Sequence, residues 1–380
     1  MRLPPFAIER YFARYEFHVP YLLSSSDVEA LSMAELLELA DAEGRERWEG
    51  LSLGYTEPAG APFLRETIAA LYQGVEPDDV LVYAGAEEAI FGFANVALGA
   101  GDHAVVVWPS YQSLHEVARG AGAQVTLLEL EHESGWAFDL DALERALRPE
   151  TRAIVVNFPH NPTGAHVDRA TFERLVALAE GAGVALFSDE VYRWLEYDDA
   201  LRLPAAVELS GSAVSLGVMS KTFALPGLRI GWLVSRDRDL LARLAAFKDY
   251  TTICSSAPSE VLADIGLKAV DVVVARSRAI VDANLMLLDA FFERHADVVE
   301  WVRPKSGAIA FPRMTAADLD VEDFCDRLAA EAGVLLLPGT TYGHQGQHFR
   351  IGFGRRNLPE ALARLERFID GRPRVGSRAA

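Results

Sequence analysis

The sequence predicts an α/β protein: a large domain built on a mostly parallel, seven-stranded sheet with helices on both faces, plus a smaller α+β domain. The middle of the chain alternates short apolar runs with longer stretches in which apolar residues recur every three or four positions. Such alternation is typical of a parallel sheet covered by helices on both faces. Beyond Pro258 a long helical stretch precedes short strand-like pieces, which indicates a separate, smaller unit.

Seven apolar runs of four or five residues are the predicted strands of the large sheet. They are Val80–Tyr83, Ala104–Trp108, Val125–Leu128, Ala153–Val156, Val184–Phe187, Ala213–Leu216 and Ile230–Val234. The stretches Leu140–Leu147 and Ala170–Glu180 between them have helical spacing. We therefore expect an N-terminal segment over residues 1–45, a large domain over 46–257 and a small domain over 258–380. The N-terminal segment is expected to pack with the small domain.

Both ends of the chain contain further predicted elements. A short amphipathic helix, Leu31–Leu39, follows the polar stretch Ser24–Asp27, which either caps this helix or shapes the substrate site. In the small domain we expect one long helix, Ser259–Ala296, and a final helix, Leu358–Ile369. The short strands predicted between these helices are Ala308–Phe311, Val334–Leu337 and Phe349–Phe353.

Composition argues against several classes of function. The net charge of −19 disfavours nucleic acid and anionic membranes as partners. We find neither the run of about 18 apolar residues that a membrane helix needs nor the apolar stretch of a signal peptide. Two cysteines do not make a disulfide framework, and we expect no metal site. These features suit a cytoplasmic enzyme.

Polar and aromatic residues follow five of the predicted strands. Ligands of open parallel sheets bind beyond the carboxyl ends of the strands, so these residues are the candidates for a site. They are Gly85-Ala86-Glu87, Tyr111, Asn161, Asp189 with Tyr192, and Ser220-Lys221. A single lysine at a strand end is usually a surface amine, and a single aspartate there is usually a turn residue. Their joint occurrence at one edge predicts a common ligand.

The side chains of this set suit an aromatic aldehyde cofactor. Lys221 supplies the amine for an imine with the aldehyde. Asp189 supplies a carboxylate for the protonated ring nitrogen, which keeps the ring an electron sink. Asn161 and Tyr192 supply hydrogen-bond donors to the ring phenolate, and Tyr111 supplies an aromatic face to stack on the ring.

The set also suits a phosphate group. Gly85, Ala86 and Glu87 open a predicted helix, and their free backbone amides favour an anion. Arg229, eight residues beyond Lys221, supplies a planar cation. Pyridoxal 5'-phosphate (PLP) combines an aromatic aldehyde with a phosphate, so we expect it as the cofactor.

The order of the motifs resembles that of the class I/II aminotransferases of the aspartate aminotransferase superfamily, which are fold type I PLP enzymes. Ser220–Gly231 resembles the lysine signature of this family, and His160–Gly164 and Ser188–Tyr192 resemble two further motifs. The resemblance implies a Schiff base on Lys221 and the exchange of an amino group between an amino acid and a 2-oxo acid. In such a cycle Lys221 is the general base.

The resemblance implies roles for two more residues. Leu53–Thr56 resembles the segment whose tyrosine reaches the cofactor phosphate of the neighbouring subunit, which implies a homodimer in which Tyr55 does so. Phe349–Gly352 resembles the strand whose arginine, here Arg350, binds the substrate α-carboxylate in a bidentate fork. Asn161 is expected beside that carboxylate.

One position departs from the family pattern. Val218 stands where relatives usually have a serine or glycine, often a phosphate contact, so that contact is absent or replaced. Ser220 is the candidate for its replacement.

Two other functions fit the same residues. Fold type I enzymes also catalyse elimination, racemisation or cyclisation. The serines of Ser24–Asp27 resemble those of capreomycidine-synthase-like relatives, which act on an arginine-type amino acid by elimination and ring closure. A non-catalytic PLP-binding module is the second alternative, but the acidic charge and the joint presence of Lys221, Asp189 and Arg350 argue for turnover.

The substrate side chain is less well specified by the sequence. No second arginine is placed to hold a side-chain carboxylate, which argues against dicarboxylic acids. Aromatic residues near the N-terminus favour a neutral or aromatic amino acid. These residues are Tyr11, Phe12, Phe17 and Tyr21.

Overall fold

The N-terminal part of the computed structural model, which describes residues 2–371, contains three helices and one short strand. These are α1 (Ala7–Tyr15), β1 (Tyr21–Leu22), α2 (Met33–Glu38) and α3 (Ala42–Glu49). The Ser32 side chain accepts a hydrogen bond from the Glu35 amide, and the Glu35 carboxylate accepts one from the Ser32 amide. This capping box starts α2 later than predicted. The cap is therefore Ser32, and neither Ser26 nor Asp27 caps this helix.

Seven strands of the middle of the chain form one sheet. Their bounds are β2 (Val80–Tyr83), β3 (His103–Trp108), β4 (Gln124–Glu129), β5 (Thr151–Asn157), β6 (Ala185–Asp189), β7 (Ala213–Val218) and β8 (Gly231–Ser235). The order across the sheet is β2-β8-β7-β6-β5-β3-β4. Strand β8 is antiparallel to both neighbours, and the other pairs are parallel. The predicted mostly parallel seven-stranded sheet is confirmed.

Helices cover both faces of this sheet. They are α4 (Pro62–Ala69), α5 (Ala86–Ala97), α6 (Ser113–Ala121), α7 (Leu140–Ala146), α8 (Arg169–Gly181), α9 (Ala206–Leu209) and α10 (Arg238–Lys248). Val106 of β3 packs in the core formed with α5, α6 and α10, whereas its neighbours Val105 and Val107 pack with α7 and α8. Both faces are thus buried, which explains why the strands are continuous apolar runs.

The C-terminal part is built of helices and short strands. They are α11 (Ala257–Lys268), α12 (Val270–Arg294), β9 (Val299–Glu300), β10 (Ile309–Ala310), β11 (Arg313–Met314), α13 (Val321–Arg327), β12 (Val334–Leu335), β13 (Leu337–Pro338), β14 (Phe349–Gly352) and α14 (Leu358–Asp370). The prediction of one helix over Ser259–Ala296 is wrong, because the backbone of Ala269 leaves the helical conformation (φ −97°, ψ 26°). The chain turns there into a second helix.

The N-terminal segment contacts both larger parts of the chain. In the C-terminal part, β1 pairs in parallel with β12, and α2 and α3 pack against α11. In the part that holds the large sheet, the Ala7 amide donates to Gln112 Oε1, just before α6. The boundaries at 45/46 and 257/258 stay predictions. Within residues 2–371 we find no helix with the length and apolar character required to cross a bilayer, and no His, Cys, Asp or Glu cluster arranged as metal ligands.

Candidate active site

A cavity of about 360 Å³ opens where β5, β6 and β7 end. The last residue of each of these strands lines it: Asn157, Asp189 and Val218. Ten of the twelve predicted site residues line it as well, namely Ala86, Glu87, Tyr111, Asn161, Asp189, Tyr192, Ser220, Lys221, Arg229 and Arg350. Helix α1 and the stretch Ser25–Asp27 form another part of the cavity wall. The fold therefore brings residues from distant parts of the chain to one cavity.

Lys221 follows β7 and extends its amine into this cavity. Its Nζ donates a hydrogen bond to Ser26 Oγ over 2.8 Å. Burial lowers the pKa of Lys221, and the charges of Asp27 and Asp189 only partly oppose this effect. A larger share of neutral amine results, and the neutral amine is the form that attacks a carbonyl.

Asp189 ends β6 and presents a buried carboxylate to the cavity. It is 6% exposed, and burial raises its pKa to about 7. The Val191 amide donates to its Oδ1 over 3.3 Å, which compensates only part of the lost hydration. A carboxylate in this environment suits a protonated ring nitrogen, because the ring supplies the missing positive charge.

Arg350 and Asn161 belong to one buried network. Arg350 is 1% exposed, and its Nε and Nη2 donate to the Ser24 carbonyl over 3.0 and 2.6 Å. Its Nη1 donates to the Tyr342 hydroxyl over 2.6 Å, and that hydroxyl donates to Asn161 Oδ1 over 3.0 Å. Asn161 Nδ2 is thereby left as the donor for a ligand.

Arg350 forms no ion pair with a carboxylate within residues 2–371. Its hydrogen-bond partners, Ser24, Tyr342 and Asn161, are all neutral. A buried cation without an anion is costly, and a carboxylate arriving with a substrate removes that cost.

Two predicted ring contacts, Tyr192 and Tyr111, lie on the cavity wall with their hydroxyls engaged by the protein. The Tyr192 hydroxyl donates to the Ser26 carbonyl over 3.0 Å. Its donation to the ring phenolate stays a prediction. The Tyr111 hydroxyl donates to Glu9 over 3.2 Å, and its ring packs 5.0 Å from that of Phe6. The Tyr111 ring is thus held in place by Phe6 and by its own hydroxyl, as stacking on a ligand requires.

Glycines shape the place where a phosphate fits. Gly85, just outside the cavity wall, has φ +93° and precedes α5; a Cβ there would lie 2.9 Å from Arg229 Nη2. A Cβ on Gly231 would lie 2.8 Å from the Ala86 amide nitrogen. Only glycine lets the guanidinium approach the free amides at the start of α5 this closely. Val218 has no hydroxyl. Within the segment Ser220–Gly231, the hydroxyl that lies on this wall is that of half-buried Ser220.

Four features together fit PLP. They are the phosphate place at the start of α5, the buried carboxylate of Asp189, the amine of Lys221 and the ring of Tyr111. Tyr55 lies apart from them: it is 95% exposed and outside the cavity. Two other large apolar side chains, Leu53 and Tyr250, are also exposed. A single chain therefore does not bring Tyr55 to its own cavity.

Sequence reasoning missed several residues of the wall. Ile8, Glu9 and Glu16 line the cavity from α1 and the residue after its end. They lie three or four positions from Phe12, and this helical spacing was the available signal. Of the aromatic residues predicted for the pocket, Phe12 lines it, whereas Phe17 is exposed. Tyr342 had no local signal, because its role depends on contact with Arg350.

The sheet order, with a lysine after β7 and a carboxylate at the end of β6, defines a fold type I PLP enzyme. The chain belongs to the family described as aminotransferase class I and II, whose model matches residues 22–365. It is therefore an enzyme of the PLP-dependent transferase type, with pyridoxal phosphate as cofactor, rather than a non-catalytic module.

Known proteins similar to this chain include transferases and a synthase. Capreomycidine synthase of Streptomyces vinaceus is 32% identical, over 96% of this chain and 93% of its own. Arginine–pyruvate transaminase of Pseudomonas aeruginosa is 30% identical, over 82% and 81% of the two chains. A solved structure of a PLP-dependent aminotransferase from Streptococcus suis superposes with a TM-score of 0.91 at 32% identity, covering 98% and 99%. The first and the third of these likenesses extend over nearly the whole chain.

Proposed function

We propose that this aminotransferase moves an amino group from an amino acid to a 2-oxo acid with Lys221 as the covalent anchor of the cofactor and the general base. The observation that carries the proposal is that Lys221, Asp189 and Arg350 line one cavity. Bound PLP supplies an electron sink that makes the α-hydrogen of an amino acid acidic. Lys221 would take that proton at Nζ and return it to the carbon derived from the cofactor aldehyde, on the far side of the shared nitrogen.

The other residues bind and orient. Arg350 holds the substrate α-carboxylate, since its buried charge needs an anion, and Asn161 Nδ2 donates to the same ligand assembly. Asp189 pairs with the ring nitrogen, and Tyr111 stacks on the ring. Tyr192 closes the wall through its hydrogen bond to the Ser26 carbonyl.

The phosphate end of the cofactor is assigned to a second group of residues. The amides of Gly85, Ala86 and Glu87 at the start of α5 and the guanidinium of Arg229 bind it, with Ser220 beside them. These contacts would hold the cofactor independently of the bond to Lys221, which leaves the Lys221 amine available for proton transfer.

The proposal is tested by mixing the purified PLP-loaded enzyme with amino acids under single-turnover conditions. We expect the visible absorption of the lysine-bound cofactor to disappear as the amino form accumulates, and to return when a 2-oxo acid such as pyruvate is added. A substrate that gives product continuously without any 2-oxo acid would contradict transamination.

We also propose a homodimer in which Tyr55 of one subunit reaches the phosphate in the other. The exposed Leu53, Tyr55 and Tyr250 support it, because large exposed apolar side chains often mark interfaces. Lys221→Ala and Tyr55→Ala variants are each expected to be impaired, and mixed refolding should restore activity because a hybrid dimer contains one intact site. No recovery in a verified hybrid, or a monomer in sedimentation with full activity, would contradict this arrangement.

An elimination or cyclisation on an arginine-type amino acid is the second candidate function. Two observations favour it: the capreomycidine synthase likeness covers 96% of the chain, and the Ser26 hydroxyl contacts the Lys221 amine, where it can relay a proton. Product formation without an oxo acid in the same experiment would put this candidate first.

We place the enzyme in the cytoplasm. Its two cysteines, half-buried Cys254 and buried Cys325, are free thiols, which is usual in reducing compartments. Cell fractionation checks this placement.

A further inference from the structure

Helix α1 forms a charged roof over the cavity. Ile8, Glu9 and Phe12 from the helix, with Glu16 just beyond it, face the cavity together. The roof is held in place: Ile8 is buried in the core, and the Ala7 amide donates to Gln112 Oε1 over 2.8 Å. Two carboxylates are therefore presented to a ligand by a docked element.

The charges of the cavity do not balance within the chain. Five carboxylates and three cations line it: Glu9, Glu16, Asp27, Glu87 and Asp189 against Lys221, Arg229 and Arg350. One of the five is neutralised from outside the cavity, because Arg355 Nη2 donates to both oxygens of Asp27 over 3.0 and 3.1 Å. The proposed function uses Asp189 for the ring nitrogen and all three cations: Lys221 for the covalent link and proton transfer, Arg229 for the phosphate and Arg350 for the α-carboxylate. No cation is left for the roof.

Glu9 and Glu16 have no ion-pair partner among residues 2–371. Glu9 accepts a hydrogen bond from the neutral Tyr111 hydroxyl. Burial and the negative charges of Glu9 and Asp27 raise the pKa of Glu16, although Arg355 and Arg350 oppose this. The two carboxylates thus repel each other electrostatically across the roof, and a cation between them would relieve that repulsion.

A bound amino acid is constrained at two points in this cavity. Its α-carbon must lie within reach of Lys221, and its carboxylate pairs with Arg350. The charged part of the wall that the cofactor, the amine and the α-carboxylate leave unassigned includes the roof, with Ser25–Asp27 beside it. The chemistry of the roof therefore selects the side chain.

We propose that the substrate is an amino acid with a cationic side chain, a guanidinium or an ammonium, and that Glu9 and Glu16 are the residues that bind this charge. The inference rests on the proposed function, since it uses the orientation that Lys221 and Arg350 impose. Dicarboxylic substrates are rejected because no cation remains for a second carboxylate. The neutral or aromatic substrate favoured by the sequence is replaced by a charged one, with Phe12 packing on its aliphatic part.

The test compares amino acids of nearly the same shape and different charge. Rates of the spectral change are measured with the PLP-loaded enzyme and L-arginine, L-citrulline, L-ornithine, L-norleucine and L-glutamate. Citrulline replaces the guanidinium of arginine by a neutral urea of the same size. We expect kcat/KM for the better of arginine and ornithine to exceed that of its neutral counterpart, citrulline or norleucine, by about 10- to 100-fold, with glutamate lowest. Comparison of the rates with arginine and ornithine shows whether the site prefers a guanidinium or an ammonium group.

Glu9→Gln and Glu16→Gln remove one charge each at constant shape. In each variant the ratio of kcat/KM for the cationic substrate to that for its neutral counterpart is expected to fall by about tenfold. Glu49→Gln, on the exposed side of α3, is the matched control and is expected to keep the wild-type ratio. Circular dichroism verifies that each variant is folded. The ratio of kcat/KM for cationic and neutral substrates in the wild-type enzyme tests the inference without any variant.

The outcomes separate this inference from the proposed function. Equal or faster conversion of the neutral counterparts by the wild-type enzyme, or ratios unchanged in both folded variants, would overturn the cationic substrate alone. Failure of every amino acid to change the cofactor spectrum would overturn the proposed function, and this inference with it. Faster product formation from arginine without an oxo acid would keep the cationic substrate and replace transamination by elimination.

Discussion

Replacing Lys221 by alanine is expected to lower turnover by at least about 1,000-fold, the upper part of the range for loss of a general base. The residue loses both its roles, covalent anchor and proton carrier. We expect the fold to persist, because the side chain makes one hydrogen bond, to Ser26, and otherwise faces the cavity. The PLP should still bind, through Arg229, the α5 amides and Asp189.

Three measurements check this expectation. Steady-state kinetics give the loss of turnover, and the absorption spectrum shows whether the cofactor is still bound in a free-aldehyde form. Borohydride reduction followed by peptide mass spectrometry should label Lys221 in the wild-type protein and nothing in the variant. Lys305→Ala is the control, because Lys305 is an exposed lysine outside the cavity. Turnover within tenfold of wild type, or a label on another lysine, would refute the assignment.

Asp189→Asn is expected to lower turnover by at least about 100-fold, because loss of one partner of a buried charge pair costs several kcal/mol. Asparagine has the shape of aspartate but cannot neutralise a protonated ring nitrogen. Since its Oδ1 can still accept from the Val191 amide, the local structure should survive. The loss of turnover therefore reports on charge rather than on folding.

The same variant should be more stable than the wild type without cofactor. Burial raises the pKa of Asp189 from its ordinary 3.8 to about 7. Between these pH values the folded protein binds the proton more tightly than the unfolded chain, so this group makes stability fall as pH rises from about 4 to about 7. Asparagine lacks this dependence. Its advantage in thermal midpoint is expected to grow over that window and to stay constant above it.

Thermal unfolding of the cofactor-free proteins at a series of pH values measures this difference. Addition of PLP should make the wild type the more stable of the two proteins, because the ring nitrogen then compensates the Asp189 charge in the wild type alone. Parallel pH profiles for the two proteins would contradict the buried-carboxylate interpretation. A variant equally active and equally stabilised by PLP would contradict the ring contact.

The sheet and its strand-end chemistry were predictable because both are local. Strands such as β3 and β5 are buried on both faces, so each appears in the sequence as a continuous apolar run. Residues directly after such runs, including Asp189 and Lys221, must lie near one edge of a parallel sheet whatever the details of packing. The order of residues along the strands therefore predicts the cofactor chemistry.

The substrate wall was not predictable, because its contacts join residues far apart in sequence. Ser26 meets Lys221 across 195 positions, and Ser24 meets Arg350 across 326. A hydrophobic pattern specifies which face of α1 is apolar but not what that face covers. The break at Ala269 was not predictable for the same reason. Both α11 and α12 have helical spacing, and only their packing decides where one ends and the other begins.

The sequence by itself determined the fold class and the cofactor and indicated the residues proposed to hold it, since these depend on residue type and order along strands. Tertiary structure alone decided what covers the cavity: Glu9 and Glu16 on the roof, Ser26 at the lysine, Tyr342 at Arg350. The physical reason is that strand ends converge by the geometry of the sheet, whereas the docking of a distant helix depends on the packing of the whole chain.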